Sequence, residues 1–179
     1  MSNAFVGQIL RVNLTSGEIS TENLNPQWAR QTLGGAGLAT RYLFELTPPG
    51  IDPLGPENVL IFMTGALTGT PSASASRYSV VAKSPQTGYW GQANSGGFFG
   101  PSLKWSGFDG VIFDGVSPEP VCLSIQDGQI NRFWRNTLED HPIETAPFQS
   151  WTEEASRISL SPIAGLRRFG DYGIATGAG

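Results

Sequence analysis

Ser76-Arg77-Tyr78-Ser79-Val80-Val81-Ala82-Lys83-Ser84-Pro85 is the stretch on which the fold turns. Gly65-Ala66-Leu67-Thr68-Gly69-Thr70-Pro71 precedes it and Gln92-Ala93-Asn94-Ser95-Gly96-Gly97-Phe98-Phe99-Gly100 comes after it. An arginine leaves a glycine-rich bend, enters a β-branched run that reads as a strand, and meets a second glycine bend one strand later. Glycines let the main chain come close to a ligand and turn N–H groups toward it, so such bends can form an anion-binding concavity. Arg77 adds a planar fork of donors that suits phosphate or the edge of a heterocycle. Asn94 can offer its amide or its main-chain carbonyl to a ligand or a metal. Two ordinary hairpin turns and a solvated arginine would give the same pattern, so the residues alone leave both readings open.

Working outward, residues 59–63 form a short continuous apolar run, read as a buried strand that delivers the chain to the first glycine bend. Residues 78–82 and 88–92 read as two more strands. Phe98, Phe99, Leu103 and Trp105 predict a short aromatic helix ended by Gly107, starting directly after the bend at 94–97. A helix start exposes unpaired N–H groups and suits a phosphate. Residues 8–13 and 18–22 alternate around Thr15-Ser16-Gly17, a hairpin signature. Asn25-Pro26 reads as cap and first position of a helix running to about Leu33.

Gly34-Gly35-Ala36-Gly37 looks at first like a dinucleotide fingerprint. That motif needs a strand before its glycines and an acidic residue at the end of the next strand, and here a helix precedes while Asp52 comes too early. Leu38, Tyr42, Leu43 and Leu46 recur at helical spacing, so the glycines join two helices and Pro48-Pro49-Gly50 stops the second. Further strands are expected over 110–113, 121–126 and 130–135, the last two as a hairpin across Asp127-Gly128. A helix is expected over 144–158. The glycine-rich end, 162–179, reads as unfinished.

A chain of 179 residues suits one domain, and 23 glycines with 13 prolines favour many turns and short elements over long helices. The expected class is α+β, built from antiparallel sheets with a few short helices. A net charge of −4 and a pI near 4.9 argue against a nucleic-acid partner. No apolar run approaches bilayer length and Met1-Ser2-Asn3-Ala4-Phe5 does not read as a signal peptide, so no membrane is expected and the chain reads as cytoplasmic. Cys122 is the single cysteine, expected as a buried thiol; alone it can neither form an internal disulfide nor ligate an iron–sulfur cluster. His141, the single histidine, lies in a turn-like stretch without a nucleophile beside it, and no catalytic residue is assigned.

With these residues in place, the chain resembles the N-terminal domain of the tungsten-dependent aldehyde:ferredoxin oxidoreductases. The likeness starts at Gly7-Gln8-Ile9-Leu10-Arg11-Val12-Asn13-Leu14, continues through Gly37-Leu38-Ala39 and Asp52-Pro53-Leu54-Gly55-Pro56-Glu57-Asn58, and is strongest in the three blocks from 65 to 100. It is good over residues 7–126 and fades afterwards. The resemblance implies that 1–179 is a single N-terminal domain forming a base for a tungsten bis-pterin, as tungstopterin or molybdopterin. It implies that Arg77 hydrogen-bonds the pterin, that the Asn94 carbonyl helps hold a magnesium ion at the pterin phosphates, and that Ser95, Gly96 and Gly97 offer main-chain donors. The iron–sulfur cluster and the acid–base groups belong to later domains of such enzymes. Partners implied are those domains or a complementary subunit, with ferredoxin as acceptor for the whole enzyme that oxidises aldehydes to carboxylic acids. The alternative is a non-catalytic β-rich binding or assembly module, for which a homodimer is expected.

Overall fold

The computed structural model describes residues 4–117, 121–126, 129–134 and 158–160. Strands β1 (Gln8–Asn13) and β2 (Ile19–Asn23) form the expected hairpin. Its turn closes because Asn13 Oδ1 accepts from the amides of Thr15 and Ser16 at 3.0 and 2.8 Å, and Gly17 supplies the positive φ of 75°. Helix α1 (Pro26–Thr32) starts as expected: Asn25 Oδ1 accepts from Gln27 N and Trp28 N, and Pro26 sits where no N–H is needed. It ends at Leu33 in the left-handed region, and α2 (Gly35–Leu46) begins at once. Gly34 between them has φ 87°, and a Cβ there would stand 2.8 Å from Thr64 O. Gly34 alone therefore joins the two helices and lets the chain close against a strand end, as an isolated bridge between Gly34 and Gly65 shows, whereas Gly35 and Gly37, expected in the same link, lie in the first turn of α2.

β3 (Leu60–Thr64), β4 (Tyr78–Lys83), β5 (Trp90–Ser95), α3 (Phe99–Trp105) and β6 (Gly110–Asp114) complete the main body. The six strands form one sheet in the order β2-β1-β6-β3-β4-β5. The α+β class holds. Four ladders are antiparallel; the fifth, β1 with β6, is parallel, with Ile9 opposite Gly110. The intervening helices and the β3–β5 meander give the chain the crossover that a parallel pair requires. β7 (Val121–Gln126) pairs with β8 (Gln129–Trp134) and with β9 (Ile158–Leu160) in a second, antiparallel sheet.

Both faces of the main sheet are covered, which is why β3 reads as an unbroken apolar run. On one face Ile9, Ile61, Met63, Val81 and Ile112 pack against Ala29 of α1 and Leu38, Ala39 and Leu43 of α2. On the other, Leu10, Phe62, Tyr78, Val80 and Phe113 pack against Leu103 of α3 and Leu123 and Ile125 of β7. Each large side chain so buried contributes about 1.5–3 kcal/mol.

One boundary differs from expectation in a way that matters. The strand expected over 88–92 is β5 at Trp90–Ser95: Gly88, at φ 72°, belongs to the turn closed by its N–H to Ser84 O at 2.8 Å. Asn94 and Ser95 are thus strand residues opposite Ser79 and Tyr78, and the chain bends only after them, through Gly96, Gly97 and Phe98, before α3. Of the helix expected over 144–158, residues 144–157 lie outside the described residues and Ile158 opens β9. His141, the Asp127-Gly128 turn and the 162–179 stretch also lie outside the described residues, as does the Cys122 side chain. No helix among the described residues is long and apolar enough to cross a membrane.

Candidate functional site

Thr64 ends β3 fully buried, its hydroxyl donating to Asp109 O at 2.7 Å, and the chain then enters the 65–70 loop. Thr68 organises that loop from within. Its Oγ1 accepts from Gly65 N at 2.9 Å and donates to Arg77 O at 2.7 Å, and the residue is 5% exposed. Gly69, at φ 79°, donates to Ala75 O at 2.8 Å and accepts from the Trp105 indole N–H at 3.0 Å. Ala66 O accepts from Lys104 Nζ at 3.2 Å, and Ala66 N donates to Leu33 O at 3.2 Å. The loop is therefore tied to α3, to the end of α1 and to the approach to β4.

Lys104 is itself buried. Its ammonium also donates to Ala4 O at 2.6 Å, lies 4.9 Å from the centre of the Phe5 ring and 3.6 Å from Asp109 Oδ1. Burial pushes its pKa below the ordinary value, and the neighbouring Asp109 carboxylate opposes part of that shift. Asp109, fully buried, accepts from Val6 N at 3.1 Å and Gly7 N at 2.6 Å. The pair anchors the N-terminal arm to the loop system.

Arg77 is exposed and stands immediately before β4. The β4–β5 register, Tyr78 opposite Ser95, brings it beside the bend: a Cβ on Gly96 would lie 3.7 Å from Arg77 Cδ, 3.8 Å from Arg77 Nε and 3.4 Å from Ser76 Oγ. Gly97 has φ 85° and open space where a Cβ would be. The guanidinium arm and the 96–97 bend thus converge on one exposed ground at the sheet edge. Asn94 and Ser95 lead into it along β5. Asn94 Oδ1 accepts from Ser79 Oγ at 2.6 Å, which commits its side-chain oxygen to the strand pair. β5 ends the sheet order, so one row of its main-chain groups faces away from β4. α3 begins two residues after Gly97, as expected, but with seven residues and no side-chain cap it adds little dipole to the site. Leu67 of the loop, Phe98 just before α3 and Trp105 at the end of α3 are exposed.

An open cavity of about 320 Å³ lies at the β2-β1-β6 end of the strand order, lined by Arg11, Asn13, Glu18, Ser20 and Asp114. Its arginine already pairs with Asp114 at 2.7 Å, so its cation is spoken for. Among the described residues no group of three or more His, Cys, Asp or Glu side chains gathers.

Arg77 and the residues of the 94–97 segment are legible in sequence; Thr68, Lys104 and Asp109 are not. Thr68 reads as one more turn residue, and nothing local marks a hydroxyl whose partner is nine residues on.

A Cβ at Gly97 would meet nothing within 4 Å, and the nearest atoms to one at Gly96 belong to Ser76 and Arg77, so the chemistry beside the arginine arm is that of a planar cation over open main chain. The family model for the aldehyde ferredoxin oxidoreductase N-terminal domain matches residues 9–145. The tungsten-containing aldehyde ferredoxin oxidoreductase of Pyrococcus abyssi (strain GE5 / Orsay) is 48% identical over 124 residues, 69% of this chain and 20% of that protein. The aliphatic sulfonate oxidoreductase, WOR-like subunit, of Pyrococcus furiosus is 36% identical over 131 residues, covering 71% of this chain and 20% of its own. Among solved structures, the active site complex BamBC of benzoyl coenzyme A reductase, in complex with 1,5 dienoyl-CoA, matches with a TM-score of 0.73 and 38% identity, over 75% of this chain and 21% of that one. The chain spans about one fifth of the length of these relatives. With the family model matching more than half its residues and close relatives agreeing over the same region, this chain belongs to the aldehyde ferredoxin oxidoreductase family, as its N-terminal domain.

Proposed function

We propose that this chain, as a single domain, is the cofactor cradle of a tungsten or molybdenum bis-pterin oxidoreductase and does not catalyse alone. The observation that carries this reading is the convergence of Arg77 with the 96–97 bend, in a family whose relatives include tungsten-containing enzymes. Arg77 would donate to the pterin from its planar fork. Gly96 and Gly97 would let a flat ring lie close, and with Ser95 would offer main-chain N–H donors. Asn94, its side-chain oxygen already held by Ser79, would turn its carbonyl to a magnesium ion at the pterin phosphates. When bound, the metal and its dithiolenes would supply the two-electron chemistry.

One cysteine in 179 residues cannot hold a four-thiolate cluster, so the electron path must come from the rest of the enzyme or from a complementary subunit. The reaction of the whole would be oxidation of an aldehyde to a carboxylic acid with ferredoxin as acceptor, in the cytoplasm. The aldehyde is favoured over a sulfonate because the relatives named for aldehyde are 44–48% identical and the one named for sulfonate is 36%.

The test is to express the chain with a tungstate and molybdate supply and measure metal and oxidised-pterin fluorescence in the purified protein, native against Arg77→Ala. Loss of a charge-assisted contact should lower retention on the order of tenfold to a hundredfold. Equal retention in both proteins would refute the role of Arg77. A second reading, a binding module that self-associates, draws on Phe44 and Tyr89, which are 76% and 79% exposed. A cofactor-free, stable dimer in sedimentation would favour it.

A further inference from the structure

We propose that Thr68 is the positioning residue that aims Arg77, an inference that rests on the cradle reading above. The ladder begins at Tyr78, opposite Ser95, so the main chain of Arg77 lies just outside the paired strands. Its carbonyl is held instead by the Thr68 hydroxyl at 2.7 Å. A hydroxyl has one proton to give and lone pairs to receive, and Thr68 uses both: the proton goes to Arg77 O and the Gly65 N–H is accepted at 2.9 Å. The bridge joins the point where the chain leaves β3 to the point where it enters β4.

The rest of Thr68 leaves it no freedom. It is 5% exposed, and a Cβ added at Gly100 would stand 3.1 Å from its Cγ2 and 3.0 Å from Ser76 O. The start of α3, the Thr68 methyl and the approach to Arg77 are therefore packed to contact. Arg77 carries its planar fork at the end of a long side chain, so a rotation of its peptide changes the direction from which the fork is presented. Removing the hydroxyl frees that peptide and leaves the Gly65 N–H without its partner.

A structural role alone would make the same residue matter, and a double-mutant cycle separates the two. Thr68→Val, Thr68→Ser, Arg77→Ala and the Thr68→Val/Arg77→Ala pair are expressed as the full chain with tungstate, and retained pterin is read by fluorescence after oxidation, beside the melting temperature of each protein. Thr68→Ser keeps the hydroxyl and should hold pterin within about twofold of native; Thr68→Val should lose roughly tenfold. In the Arg77→Ala background Thr68→Val should cost nothing further, because it acts only through Arg77. Additive losses, or native retention in Thr68→Val while Arg77→Ala is depleted, overturn this inference and leave the cradle reading standing. Native retention in Arg77→Ala overturns the cradle reading and this inference with it. Should Thr68→Val not fold, Thr68→Ala and Thr68→Ser decide together: a roughly tenfold loss in the alanine variant that serine largely restores upholds the hydroxyl's role, and equal retention in the two refutes it.

Discussion

Gly96→Ala separates a glycine kept for folding from one kept for a ligand. A Cβ at this position would meet Ser76 Oγ at 3.4 Å, Arg77 Cδ at 3.7 Å and Arg77 Nε at 3.8 Å, all ordinary van der Waals separations. Gly96 is not among the residues with positive φ, so alanine meets no backbone strain there. Alanine also removes conformational freedom from the unfolded chain, which at a compatible site stabilises by about 0.4–1 kcal/mol. For a domain of this size that is roughly 1–4 °C in melting temperature. The fold should thus be untouched or slightly firmer. The added methyl, however, occupies the ground directly beneath the Arg77 arm, where the ring of a pterin would approach the main chain. Retained pterin should fall about tenfold or more, the cost of an overpacked contact of roughly 1–3 kcal/mol. The assay is differential scanning calorimetry of the cofactor-free protein beside pterin fluorescence of the loaded one. A melting temperature several degrees below native would show that the geometry around Gly96 is wrong. Full retention with normal stability would show that nothing binds against that glycine.

Gly34→Ala should behave in the opposite way. At φ 87° and with a Cβ only 2.8 Å from Thr64 O, alanine there should destabilise by roughly 2–5 kcal/mol, visible as a lower urea midpoint; a midpoint within experimental scatter of native would refute the close approach of α2 to β3. Lys104 has a folded pKa pushed below 10.5 by burial, so as pH rises toward 10.5 the unfolded chain holds that proton longer than the folded one. Its contribution to stability therefore increases with pH over that alkaline window. The unfolding free energy of native protein minus that of Lys104→Met should rise through the window, a comparison in which Tyr42, shifted the other way by burial, cancels. A flat or falling difference would refute the burial of the ammonium.

Much of this fold is written in local signals. Asn25-Pro26 caps α1, Gly17 closes the first hairpin and the apolar run before Gly65 is β3, each because the residue's own chemistry restricts what the chain can do there. The parallel pairing of β1 with β6 is not written that way. Ile9 meets Gly110 about a hundred residues on, and an apolar strand covered on both faces carries no mark of its neighbour's direction. The start and end of β5 depart from the sequence reading for a related reason: Asn94-Ser95-Gly96-Gly97 has the composition of a turn, yet the six-residue partner strand Tyr78–Lys83 draws Asn94 and Ser95 into the ladder. Arg77 and the 94–97 segment are legible because glycine and arginine are unusual where they stand. Thr68 and Lys104 are not, since their partners come from tertiary packing: Thr68 reaches Arg77 and Lys104 reaches Ala4 and Ala66.

The relatives bear on what kind of site the edge of this sheet can be. Proteins named for aldehyde, for aliphatic sulfonate and for benzoyl coenzyme A match this chain over 69–75% of its length while it spans only 20–21% of theirs. Substrates so different in size and charge cannot share one recognition pocket, because a pocket's polar groups reject what leaves them unpaired. What such enzymes can share is the handling of a group common to all of them. A region matched across proteins so differently named would suit the holding of a shared group, as the proposed cradle requires, better than the choice of substrate. The chemistry of the edge is consistent with that proposal: a planar cation, two glycines and strand-end amides would suit a flat anion, and Arg77, Asn94 and Ser95 include no carboxylate or imidazole to move a substrate proton. On the cradle reading, selection of the substrate would fall to the parts of these relatives that this chain does not span. Exchanging this domain between an aldehyde-named and a sulfonate-named relative should accordingly leave substrate preference with the recipient's remaining chain; a preference that travels with the domain would refute the division.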